Sequence, residues 1–174
     1  MDAVALVREQ YKGAHDLLEA TFKDVTPEQA HWAPPGVANP VGATYVHILG
    51  AEDTILCGMV RGTKPLAAGE FAGKTGVSEP PPRPGPGLDE WARRVKVDLP
   101  QLRAYAQAVY KQTDDWLASL SADDLDKPVD MSSFGMGQQP MRVLVAGIVL
   151  QHINNHLGEI SCLKGLQGAK GYPF

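Results

Sequence analysis

The chain has 174 residues, 44% of them hydrophobic and 21% charged, with 16 Lys and Arg against 20 Asp and Glu for a net charge of −4. That is enough chain for one well-buried core and a single domain over residues 1–174, and the acidic balance argues against a nucleic-acid or membrane partner, which would call for a basic patch. Cys57 and Cys162 form neither a CxxC pair nor a disulfide framework, and without a basic-then-apolar leader the expected setting is the reducing cytoplasm.

From Ala3 to Lys23, the apolar residues Leu6, Val7, Tyr11, Ala14, Leu17, Leu18 and Phe22 recur every three or four positions and predict a first amphipathic helix. Thr26-Pro27-Glu28-Gln29 has an N-cap, a first-turn proline and a capping-box glutamine, so a short helical turn is expected before Pro34-Pro35-Gly36. A second helix, carrying His47, runs from about Val41 to Val60 and stops at Arg61-Gly62. Residues 62–87 hold six prolines and six glycines, which excludes a helix or central strand and leaves an ordered crossing, a mobile loop or an interdomain linker.

The third helix is expected from Leu88 to Leu120, kinked at Pro100, with Arg93-Arg94 on a solvated face. Ser121-Ala122-Asp123-Asp124 begins another capped turn, and Pro128 to Gln139 reads as a short hairpin or an irregular loop. A fourth helix spans Pro140 to about Leu166. Its apolar run Val143–Leu150 is far short of the roughly 20 residues that cross a bilayer and reads as core. Four long helices with a long crossover predict an all-α four-helix bundle, an architecture that builds metal sites between facing helices.

His152 and His156 are one turn apart and about 40° apart in helical phase, in the sector of Val145, Val149 and Leu163. Two imidazoles so placed can serve one ion. Around His47 the neighbouring turns carry Ala43, Thr44, Ala51, Thr54 and Gly58, all small, which permits either close helix packing or a pocket. The candidate metal ligands are therefore His47, His152 and His156, the plain alternative being three hydrogen-bonded core histidines. Glu159 shares their sector and is open to four readings: fourth ligand, second-layer acceptor, general base or solvated acid. His15, expected at the surface or rim, and His31, in a proline-flanked turn, are not expected to be ligands. Both cysteines read as small core residues.

The segments His47-Ile48-Leu49-Gly50-Ala51-Glu52 and Gln151-His152-Ile153-Asn154-Asn155-His156-Leu157-Gly158-Glu159-Ile160 resemble the helix-two ligand and the helix-four HxxxHxG motif of the DinB/YfiT-like family of metal-binding four-helix bundles. The resemblance covers essentially the whole chain. It implies a divalent ion, typically zinc or nickel, at His47, His152 and His156, and a homodimer. It also implies a possible low-molecular-weight thiol cofactor such as mycothiol, bacillithiol or glutathione. The expected function is then a metal-dependent thiol S-transferase or hydrolase acting on a small molecule; Arg61, Arg83 and Arg142 are candidates for holding a carboxylate, the plainer reading being three solvated arginines. A non-catalytic stress-related or interaction protein with a structural or vestigial metal is the alternative.

Overall fold

The computed structural model describes residues 2–82 and 87–174, and they are mostly helical with one small two-stranded sheet. Helix α1, Ala3–Phe22, starts where the Asp2 carboxylate accepts the Ala5 amide at 2.7 Å. Its buried stripe, Tyr11, Ala14, Leu18 and Phe22, keeps the three-and-four spacing read from the sequence. Helix α2, Pro27–His31, carries the expected reciprocal capping box of Thr26 and Gln29.

Helix α3, Val41–Asp53, is buried nearly all round and continues as a π-helical extension, Thr54–Val60. It ends as predicted near Gly62, whose φ of 62° lies in the left-handed region. In the crossing that follows, a single 3₁₀ turn, Leu66–Ala68, is fastened back to α3 by Asp53. Farther on, Asp98 N–H donates to the Gly76 carbonyl, Ser78 N–H donates to that of Lys96, and Val77 bridges Val97. Gly76 is required there: its φ is 81°, and a Cβ would stand 2.5 Å from the Leu102 amide nitrogen. The described part, 61–82, is thus an ordered crossing. Arg83, Pro84, Gly85 and Pro86 of the proline-rich run lie outside the described residues.

The expected single helix from Leu88 to Leu120 is instead two, α4 at Leu88–Arg94 and α5 at Leu99–Ala118. Val97 leaves the helical path to bridge Val77, and Asp98 then caps α5 by accepting the Gln101 amide at 3.0 Å. Pro100 therefore sits in the first turn of α5, where the missing N–H costs nothing, and it kinks no helix. His31 closes the same joint. Its Nδ1–H donates to the Pro27 carbonyl at 2.6 Å and its Nε2 accepts the Val97 amide at 2.9 Å.

After a capped 3₁₀ turn, Ala122–Asp126, the segment left open between hairpin and loop is a hairpin: β1, Pro128–Asp130, pairs antiparallel with β2, Gln138–Pro140, with Val129 opposite Gln139. The last helical run comprises α6, Met141–Leu144, a π-helical turn, Val145–Leu150, and α7, Gln151–Leu166. Among the described residues no helix is long and apolar enough to cross a membrane.

Helix α1 packs on α5 and α7, and α3 packs on the same two helices, so their inner faces share one core. Leu18, Phe22, Ile48, Leu49, Leu102, Ile153 and Ile160 are fully buried in it, each worth about 1.5–3 kcal/mol relative to exposure. Phe22 stacks on Tyr45 with ring centroids 4.0 Å apart. Cys57 is a core residue as expected, whereas Cys162 is exposed: on α7 the neighbours Ser161 and Leu163 turn inward and leave it outside.

Candidate metal centre

Because α3 packs along α7, His47 at the middle of α3 meets the one-turn pair His152 and His156 on α7. One ligand nitrogen from each lies within 4.8 Å of the other two, and the Nε2 atoms of His47 and His152 are 2.9 Å apart. The rings are steeply inclined, with interplanar angles of 64°, 85° and 76° and centroids 4.7, 4.9 and 4.4 Å apart. The rings thus meet edge to face rather than stacked. Two imidazole nitrogens on one tetrahedral zinc-like ion stand about 3.3 Å apart, given metal–nitrogen distances near 2.0–2.1 Å, and the 2.9 Å between His47 and His152 is close to that value. A donor set of three imidazoles suits a divalent transition metal.

The electrostatics favour the ligating form of these rings. Burial, followed by the charges of His156 and His47, pushes His152 down to about 4. Burial chiefly, then His156, lowers His47 against a smaller upward pull from Glu159. Both rings are thus neutral at pH 7, with a lone pair to offer. His156 is held differently: its Nδ1–H donates to Glu159 Oε2 at 2.6 Å, which leaves Nε2 as the nitrogen with the free lone pair. Of the four readings open for Glu159, the geometry selects an exposed carboxylate orienting a histidine from outside the triad.

All three imidazoles are half-buried, so they sit at the edge of the core. The small residues beside His47 explain part of this. Ala43 and Thr44 are buried, but Thr54 and Gly58 are exposed, and the small face opens toward solvent beyond the triad. Of the candidate carboxylate-holding arginines, Arg61 lies against Cys57, with Nη1 3.7 Å from Sγ, and Arg142 pairs with Asp126. Arg83 is outside the described residues.

His15 is a correction. It is 7% exposed and its Nε2–H donates at 3.0 Å to Glu52, which is itself fully buried. Glu52 also accepts the Thr113 hydroxyl at 2.6 Å. Asp53, 1% exposed, accepts the Leu66 and Ala67 amides at 2.9 Å each and the Tyr105 hydroxyl at 2.8 Å. These two acids went unrecognised in the sequence, although they stand at the end of a helix buried on nearly every face, where a charge must be paired. The buried carboxylate of Asp53 raises the Cys57 thiol, after burial itself, to about 11, which makes that cysteine inert rather than nucleophilic.

The sequence matches the family model described as the DinB superfamily over residues 10–160. The crystal structure of a conserved protein from Enterococcus faecalis aligns with a TM-score of 0.79 at 18% identity, covering 94% of this chain and 96% of that one. At that identity the likeness is one of fold alone. No curated protein matches the chain.

Proposed function

This chain belongs to the DinB superfamily, and we propose that it is a divalent-metal protein of that family, with His47, His152 and His156 as the ligands and a small molecule as substrate. The carrying observation is the convergence of three ligand nitrogens within 4.8 Å from two packed helices, with two of the rings held neutral by burial. In this reading α1, α3, α5 and the α6–α7 run form a four-helix bundle built as one domain over residues 1–174. It works in the cytoplasm as a homodimer.

A divalent ion at such a site supplies Lewis acidity and, with three protein ligands, leaves coordination positions for a small molecule. The chain's own residues have definable parts. His47 and His152 present unprotonated nitrogens because the partly apolar surroundings disfavour the imidazolium. Glu159 holds the proton of His156 on Nδ1 and fixes the ring direction. The exposed Thr54 and Gly58 leave the approach on the α3 side uncluttered. A structural ion is ordinarily closed by four protein ligands; the described residues bring three His, Cys, Asp or Glu side chains together here, and Glu159 is committed to His156. This favours an enzyme, a thiol S-transferase or a hydrolase, over a structural or vestigial metal site.

The test is turnover by ion-loaded protein in the presence and absence of mycothiol, bacillithiol and glutathione. Thiol-dependent turnover identifies a transferase, and thiol-independent turnover a hydrolase. Activity that survives His47→Ala, His152→Ala and His156→Ala together would sink the proposal.

A further inference from the structure

A second polar centre lies on the other side of the core, between α1 and α5, and shares no residue with the histidine triad. A cleft of about 270 Å³ opens there, just under the roughly 300–1,000 Å³ typical of small-molecule pockets. His15, more than nine-tenths buried, lines it, clamped between Tyr110, stacked at 4.0 Å, and the edge of Tyr11 at 5.7 Å. Its Nε2–H is spent inside the protein on Glu52, and Glu52 is fixed by Thr113. The remaining ring nitrogen, Nδ1, has no hydrogen-bond partner among the described residues, and its ring belongs to the lining of the cleft. In the tautomer that donates Nε2–H to Glu52, Nδ1 carries a lone pair and accepts.

Charge in the cleft is unevenly satisfied. Arg8 pairs with Asp114, Lys12 with Asp16 and Lys111 with Asp115. Glu19, half-buried in the same wall, has no cationic partner among the described residues. Its Oε1 accepts the hydroxyls of Tyr45 and Tyr110, and its Oε2 is free. The two unspent atoms, His15 Nδ1 and Glu19 Oε2, are therefore acceptors on side chains that line the cleft, one turn apart on α1 with Cβ atoms about 5–6 Å apart. A ligand for them must donate at two points and carry positive charge.

We propose that the α1–α5 cleft binds a small organic cation with two separated N–H groups, of the alkyl diamine class, one held by Glu19 Oε2 and the other by His15 Nδ1. Binding there is independent of the metal, because the Glu52–His15 pair that shapes the cleft is anchored from α3 and α5 without using His47, His152 or His156.

Titration calorimetry of the full chain with 1,4-diaminobutane tests this. The expected result is one saturable site per chain, weakened about tenfold or more both for n-butylamine and in Glu19→Gln, each of which forfeits one charge-assisted hydrogen bond. In wild-type protein the His15 Nδ1 nitrogen resonance should move on saturation. The triple variant His47→Ala, His152→Ala, His156→Ala should bind the diamine unchanged, which separates this site from the metal proposal. Absence of saturable binding, equal affinity for mono- and diamine, unaltered binding by a folded Glu19→Gln, a stationary His15 resonance, or loss of binding in the triple variant would each overturn it.

Discussion

Replacing Asp53 with asparagine changes one atom and little volume, yet it should cost a large share of the stability of this protein. The carboxylate accepts at both oxygens: the Leu66 amide and the Cys57 thiol at Oδ1, the Ala67 amide and the Tyr105 hydroxyl at Oδ2. An asparagine has one acceptor oxygen and one donor nitrogen. Whichever way it flips, its NH₂ faces a backbone amide that can only donate. One backbone N–H, part-buried, then loses its partner, at about 1–3 kcal/mol, and the surviving bonds lose their charge assistance. Together these give a loss of roughly 3–5 kcal/mol, a large part of the roughly 5–15 kcal/mol that holds a domain folded. Urea unfolding should show a lower midpoint at unchanged slope, and the melting temperature should fall by about 10 °C. Because Asp53 also holds the 3₁₀ turn over α3, amide exchange at Leu66 and Ala67 should quicken before global unfolding. A destabilisation under 1 kcal/mol would refute the view that this carboxylate pins the crossing.

Glu159→Gln weakens the hold on the His156 ring and should lower zinc affinity by roughly 10- to 100-fold while leaving the urea midpoint nearly unchanged; equal zinc affinity by competition with a chelator would contradict the assigned role. In metal-free protein His152 titrates near 4 folded against about 6.5 unfolded, so its contribution is present above pH 6.5. It is lost as pH falls toward 4, because the unfolded chain takes up the proton first. After discounting for a half-exposed ring the loss is on the order of 1–2 kcal/mol, and it should be missing from the stability–pH profile of His152→Leu. His31→Ala strands the Val97 amide at the α4–α5 joint and should cost about 1–3 kcal/mol, read by chemical denaturation.

Much of this was legible in the sequence because local rules governed it. The capping box at Thr26, the stop at Gly62 and the stripe of α1 follow from short-range chemistry. The relative phase of His152 and His156 holds because both lie in the regular α7. What long-range pairing decided was not legible. The break before Leu99 exists because Val97 bridges Val77 twenty residues earlier in the chain, a contact with no local signature. The π-helical turn at Val145–Leu150 uses i→i+5 bonds, so phase could not be carried through it. Val145 and Val149 are thus fully buried while His152 is only half-buried. His15, read as surface or rim of α1, was misplaced for a related reason: only the arrival of Glu52 from α3 explains its burial.

Metal content measures the central claim most directly. Protein purified gently, loaded with zinc or nickel, desalted and examined by elemental analysis should carry about one ion per chain, and each of His47→Ala, His152→Ala and His156→Ala should reduce that occupancy sharply. Far less than one ion in the loaded wild type, or undiminished metal in the triple variant, would contradict the account and leave the three histidines as a hydrogen-bonded cluster at the edge of the core.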